Sequence, residues 1–230
     1  MPAKPNILLV HGAWGDASHW RHLIPLLLDA GYNVGAVQNP LTSLADDIQR
    51  TRKLAEAQGG PTLLVGHSYG GAVISGAGHA ANVTGLVFIA AFAPDEGDSL
   101  GSLFARTDPP AGAAGIRPDP DGFLWLARDS FREHFCADLP EQDARIMAVT
   151  QKPIAARCFE DQAGAPAWRG KPSWYQVSSG DHMIPPATQA WMAERIGARK
   201  TITLDASHAS LASRPREIFA LIEEAAGAVA

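Results

Sequence analysis

Thr62–Gly66 reads as a short apolar strand, and it runs without a spacer into Gly66-His67-Ser68-Tyr69-Gly70-Gly71. No other feature limits the fold as tightly. A strand apolar along its whole length is covered on both faces, the situation of a parallel sheet flanked by helices. Small residues two places either side of Ser68 let a strand and the helix after it approach closely through a strained turn. The residues from Tyr69 to His79 read as that helix despite their glycines.

The rest of the chain agrees with this nucleus. Before it, Asn6–Val10 reads as a strand ending in His11-Gly12, Ser18–Ala30 as a helix closed by Gly31, Asn33–Val37 as a strand, and Ser43–Gln58 as a helix. Ser43 suits the N-cap of that last helix, with Asp46 and Asp47 near its positive end. After the nucleus, Thr84–Ala91 reads as a strand. The alternation returns with Ser173–Ser178, Pro185–Ile196, Lys200–Leu204 and Arg214–Ala226. Parallel neighbours need crossover helices, so the expectation is a doubly wound, mostly parallel α/β sheet. Between the halves the pattern breaks, from about Asp95 to Trp168. This stretch is rich in Pro and Gly, then shows helical pieces near Ser130–Cys136 and Glu141–Thr150. It is expected to be a small, mainly helical cap within one domain spanning 1–230, over the C-terminal edge of the sheet.

Bulk properties exclude several classes of partner. The chain has 230 residues, 46% hydrophobic and 19% charged, with a net charge of −5 and no Lys/Arg cluster. A nucleic-acid partner would call for a basic stripe, and none is present. The longest apolar stretches, such as Val83–Ala93, fall short of the ~20 residues that span a bilayer. Met1–Pro5 lacks the regions of a secretory signal, and Cys136 and Cys158 read as two reduced core thiols, so a cytoplasmic setting is expected. Neither cysteine has metal-ligand spacing, and no metal site is expected. A homodimer stays open.

A serine on a strand-to-helix turn projects above the sheet beside the first amides of the helix, so Ser68 is the candidate nucleophile. Acyl transfer needs two amide donors for the developing oxyanion, each worth about 3 kcal/mol of barrier. One is expected from Tyr69, the other from Ala13 in the loop after the first strand. His11, at a strand end before glycine, is expected to brace that loop. The triad on such a turn follows the order Ser, acid, His. His11, His19, His22 and His67 precede or abut the serine, His79 lies late on the helix, and His134 is in the cap. Of the two left, His182 comes too early, and His208, after the last strand, is the candidate base. Asp181, ending the strand before it, is the candidate acid. Asp95 is the runner-up, and Asp205 is too close in sequence to His208.

With these residues in place, the chain resembles the α/β-hydrolase superfamily over essentially its whole length. It is most similar to the branch of plant methyl-ester hydrolases, hydroxynitrile lyases and bacterial pyrethroid-type carboxylesterases. The resemblance rests on Val10-His11-Gly12-Ala13-Trp14, on the Gly66–Gly71 turn, on Gly180-Asp181-His182-Met183-Ile184-Pro185-Pro186, and on Ser207-His208 followed by Ser213-Arg214-Pro215. It implies the same triad and oxyanion donors, a helical cap and a lipophilic pocket beneath it. Lyases of this branch carry a threonine in the first loop and a lysine after the histidine; here those positions are Gly12 and Ala209, which argues against lyase activity. Haloalkane dehalogenases use an aspartate nucleophile, which Ser68 excludes.

The expected activity is therefore hydrolysis of a small-molecule carboxylic ester by Ser68, His208 and Asp181, without a cofactor. Trp14, Phe92, Phe104, Phe123, Trp125 and Met183 are candidates to line an apolar substrate pocket, and ordinary core packing is an equal claim on each. Two other functions fit the same residues: a ligand receptor with vestigial turnover, and a perhydrolase that needs peroxide but no cofactor.

Overall fold

The computed structural model describes residues 4–229. Of the Met1–Pro5 stretch that argued against a secretory signal, residues 1–3 lie outside the described residues. Nine strands and ten α-helices are formed among the described residues. In chain order they are β1 (Asn6–Val10), α1 (Ile24–Asp29), β2 (Val34–Val37), α2 (Leu44–Glu56), β3 (Thr62–His67), α3 (Tyr69–Ala77) and β4 (Val83–Ile89). Then follow α4 (Leu100–Phe104), β5 (Ile116–Pro118), β6 (Phe123–Leu126), α5 (Phe131–Phe135), α6 (Glu141–Thr150), β7 (Ile154–Ala155) and α7 (Arg157–Glu160). The chain closes with β8 (Ser173–Ser178), α8 (Pro186–Arg195), β9 (Lys200–Leu204), α9 (Ser210–Ser213) and α10 (Pro215–Val229).

Six strands form one parallel sheet in the order β2-β1-β3-β4-β8-β9. Alternate side chains of each strand point to opposite faces, and both faces are covered. Leu8, Val10, Leu64, Phe88 and Tyr175 join one apolar cluster with residues of α2, α3, α8 and the segment between β4 and β8. Ile7, Leu9, Leu63, Val65 and Ile89 join the other, against Leu27 of α1 and Ile218, Leu221, Ile222 and Ala225 of α10. The α10 residues recur at the spacing of one helical face, so burial of that face holds the helix to the sheet. The chain reverses direction across the sheet between β1 and β3. Loops leaving the carboxyl ends of those two strands diverge there, which opens a crevice for a site.

The expected helix Ser18–Ala30 is two pieces: a 3₁₀ turn at Ala17–Trp20 and α1 starting at Ile24. Pro25 explains the break. It lacks an N–H and its ring would strike the carbonyl of residue 21 in a continuous helix, so it sits in a first turn. Ser43 caps α2 as expected, accepting a hydrogen bond from the Asp46 amide at 3.1 Å. Between β4 and β8 the helices α5 and α6 fall close to their expected places. The same region also holds an antiparallel sheet in the order β5-β6-β7, with strands too short to show a period in the sequence. Cys136 and Cys158 are both buried free thiols, and burial pushes each up to about 12.

Candidate active site

The turn after β3 is strained as its sequence requires. Ser68 sits at φ 54°, ψ −125°, a conformation rare for a residue with a Cβ. Its neighbours are packed backbone against backbone. A Cβ on Gly70 would lie 2.3 Å from the Val10 carbonyl oxygen, and one on Gly66 would lie 2.6 Å from the Gly70 oxygen. Gly12, in the loop after β1, is equally committed, since a Cβ there would come within 2.6 Å of the Ser68 Cβ. The crevice between β1 and β3 thus brings Gly12 onto the serine. Tyr69 opens α3, and the first amides of a helix have no acceptor within it. The Ser68 carbonyl, on the same peptide unit as the Tyr69 amide, accepts from the amides of Gly71 at 3.0 Å and Phe92 at 3.1 Å.

His208 and Asp181, both buried, meet beyond the ends of β8 and β9, and the His208 ring lies 4.7 Å, centroid to centroid, from that of His67, the residue before Ser68. The His208 Nδ1–H donates to Asp181 Oδ2 across 2.7 Å. Asp181 also accepts from the amides of Met183 at 2.7 Å and Ile184 at 2.9 Å, and from Gln189 Nε2 at 2.8 Å. Four donors therefore satisfy this buried carboxylate and fix its orientation. The His208 Nε2 has no hydrogen-bond partner among the described residues, which leaves the basic nitrogen available for a proton. The backbone of His208 is pinned as well. Its carbonyl accepts from His67 Nε2 at 2.8 Å, and the Ala209 amide donates to the Phe135 carbonyl at 3.0 Å.

The other acids and histidines go elsewhere. Asp95 pairs with Arg169 at 2.6 Å, on the outside of the fold. His182 is exposed, with Nδ1 on the Glu133 carbonyl at 3.1 Å. His11, His19 and His67 are buried next to the site, and burial lowers their pKa: His11 to about 4, His19 to about 3, His67 well below the ordinary range. All three are neutral imidazoles at neutral pH. His11 does brace the loop: Asn39 N–H donates to its Nε2 at 3.0 Å, and its Nδ1 bonds the Gly12 carbonyl at 2.8 Å.

Sequence reasoning missed the supporting residues. Gln189 and His67 hold Asp181 and His208. Asp47, wholly buried, accepts from the Tyr69 hydroxyl at 2.6 Å and the Leu41 amide at 2.9 Å. Burial raises the Asp47 pKa against the opposing pull of those bonds. Asp138 accepts from the Ser207 amide at 3.1 Å, one residue before His208. Only Asp47, an acid on the buried face of α2 with Leu44 and Ala55, leaves a trace in the sequence.

A cavity of about 310 Å³ has a lining that includes Phe104, Pro110, Ile116, Leu124, Phe159 and Met183, whose amide donates to Asp181. Of the expected pocket residues, Met183 and Phe104 line it directly. Trp14 and Phe92 stand just behind the lining, with ring centroids 6.1 Å from Phe159 and 5.1 Å from Phe104. Trp125 and Phe123 are not among the lining residues. Leu124 of β6 faces the cavity, and strand alternation sends its two neighbours to the other face. The Trp125 indole instead donates to Asp119 at 2.8 Å. Leu124 is the β6 residue on the lining. No group of three or more His, Cys, Asp or Glu is placed to hold a metal ion among the described residues. No helix among them is long and apolar enough to cross a membrane.

Comparison with known proteins follows the same lines. The chain is 28% identical to a pyrethroid hydrolase of Sphingobium wenxiniae, over 98% of this chain and 89% of that one. It is 36% identical to a carbendazim hydrolyzing esterase of a Nocardioides species, over 46% and 49% of the two chains. A crystal structure of a pyrethroid hydrolase from Sphingobium faniae superposes with a TM-score of 0.84, at 23% identity, covering 97% of this chain and 98% of that one. That structure shares the fold. The family model described as the alpha/beta hydrolase family matches residues 7–221, and with strand order, turn and crevice in agreement, the chain belongs to the alpha/beta hydrolase family.

Proposed function

We propose that this chain is a carboxylic ester hydrolase that acts on small lipophilic esters through an acyl-enzyme on Ser68. The observation that carries the reading is the buried His208–Asp181 pair at 2.7 Å, its second ring nitrogen without a partner among the described residues and its backbone bonded to His67, which precedes a serine held at positive φ. In the reaction Ser68 Oγ attacks the ester carbonyl while His208 Nε2 takes its proton, and Asp181 stabilises the imidazolium. The amides of Ala13 and Tyr69 receive the oxyanion. His208 returns the proton to the departing alcohol, then activates water to release the acid. No metal or organic cofactor enters these steps.

Residues 95–168 act as a cap in this reading, within the same folding unit as the sheet. Their side chains share an apolar cluster with α2, α3 and α8, which supports one unit rather than two. The cavity beneath, lined by aromatic and aliphatic side chains with Thr107 as its one hydroxyl, suits an uncharged acyl or alcohol group. The names of the relatives, a pyrethroid hydrolase, a carbendazim hydrolyzing esterase and a polyneuridine aldehyde esterase, support ester hydrolysis.

A turnover assay with nitrophenyl esters of graded acyl length tests the proposal. Multiple turnovers are expected, lost by several orders of magnitude in Ser68→Ala. Release that stops at one equivalent would make the chain a receptor, and full activity in a folded Ser68→Ala variant would dismiss the assignment.

A further inference from the structure

The Gly12 carbonyl and the Ala13 N–H belong to one planar trans peptide unit, so they point in opposite directions and turn together. Whatever grips the carbonyl aims the amide. His11 Nδ1 lies 2.8 Å from that carbonyl, and the Asn39 N–H donates to His11 Nε2 at 3.0 Å. Because Nε2 is occupied as an acceptor, the ring proton of the neutral imidazole resides on Nδ1 and donates to Gly12. Asn39 acts a second time: its Nδ2 donates to the His11 carbonyl at 3.0 Å. Two successive peptide units, His11–Gly12 and Gly12–Ala13, are thus each fixed through their carbonyl oxygens. Both His11 and Asn39 are wholly buried, so neither bond competes with solvent. The outer end of this chain of bonds reaches the cap, where Lys152 Nζ donates to the Asn39 carbonyl.

The Tyr69 amide needs no such device, since the Ser68 carbonyl on its peptide unit already accepts from Gly71 and Phe92 amides. The loop after β1 lacks that support from regular structure. Gly12 has no side chain to restrain it, because any Cβ would strike Ser68. Freedom at Gly12 is unavoidable, and it must be removed from outside.

We propose that His11 and Asn39 are positioning residues for the oxyanion site, Asn39 setting the imidazole tautomer and His11 aiming the Ala13 amide at the reacting carbonyl. The inference rests on the acyl-enzyme reading above and adds to it residues that never touch substrate. Such residues change how well the transition state is held and leave ground-state binding nearly unaltered.

The test compares wild type with His11→Leu, His11→Asn and Asn39→Ala, each checked for a cooperative thermal transition. Readouts are kcat and KM on a nitrophenyl ester, and inhibition by an alkyl trifluoromethyl ketone, whose adduct with the serine carries an oxyanion. His11→Leu is expected to lower kcat about ten- to hundredfold, less than the full loss of one donor, with KM within about threefold. Ketone affinity should fall by a similar factor. His11→Asn, whose side-chain amide can replace the Nδ1 donor, should recover most of both. Asn39→Ala should reproduce the pattern more weakly, and it decides the matter if His11→Leu does not fold. Lowered thermal stability with wild-type kcat and ketone affinity would overturn the proposal, leaving His11 as packing alone. Ser68→Ala in parallel separates the two failures: if it keeps turnover, the acyl-enzyme reading itself falls.

Discussion

The C-terminal edge of the sheet and the segment between β4 and β8 are built by different means. At the sheet edge, position is dictated by the backbone. Gly12, Gly66 and Gly70 leave no room for a side chain, Ser68 is held at φ 54°, and Asp181 takes four hydrogen bonds. The cap region is held by side-chain packing around an apolar cavity, with short helices and strands of two to four residues. In the proposed reading, chemistry is fixed at the edge while substrate choice is left to the segment between β4 and β8. Changes at the edge should alter kcat for every substrate, whereas changes in the cap should alter the ranking of substrates.

The largest effect should come from the acid. Asp181→Asn keeps the size but removes the charge and favours the wrong tautomer of His208, a change that costs about 10⁴ in kcat in a comparable triad. Asp95→Asn, which loses only an outer ion pair with Arg169, should cost less than about tenfold. Steady-state kinetics on one ester decide between them, and a crippled Asp95→Asn with an active Asp181→Asn would move the acid to the earlier strand.

Next in size is a change in the cap. Leu124→Trp should fill part of the cavity and lower kcat/KM for long-chain esters about tenfold or more, with an acetate ester nearly unaffected, since a methylene or two in an apolar pocket is worth ~10–200-fold. Trp125→Ala, one residue along the strand, should leave the ranking of esters as it is. A uniform loss across chain lengths in Leu124→Trp would blur the division between edge and cap.

The smallest effect is on stability. His11 and His19 have folded-state pKa values lowered to about 4 and about 3, below the ~6.5 of an exposed imidazole. Between those values the unfolded chain binds protons that the folded chain does not. Stability should therefore be unaffected by these groups above about pH 6.5 and fall as the pH drops through 6 and 5 toward 4. Thermal unfolding from pH 8 to 4 reads this. His19→Phe should flatten the slope, and an unchanged slope would mean that other groups govern it.

How much was legible in advance follows the same division. The strained turn at Ser68, the loop after β1 and the chain order of the proposed serine, acid and base leave marks in the sequence because glycine and chain order are the physical requirement. Strands β8 and β9 and helix α6 have the limits expected of them, since each is a plain apolar period bounded by turn residues. Pro25 was a sequence signal overlooked within the Ser18–Ala30 periodicity. The pairing of Ile116–Pro118 with Phe123–Leu126 and Ile154–Ala155 depends on contacts far apart in the chain, and so does the place of Leu124 on the cavity lining. Gln189, Asn39 and His67 are single polar residues whose partners lie on other elements, and no local pattern announces them.

The central claim is that Ser68 is the nucleophile made reactive by this edge, and covalent labelling tests it most directly. Wild-type protein treated with a fluorophosphonate and digested should carry the adduct on the peptide containing Ser68, at one equivalent per chain. His208→Ala should label far more slowly, because the hydroxyl then has no base to take its proton. An adduct on any other serine, or undiminished labelling of Ser68 in His208→Ala, would contradict the account.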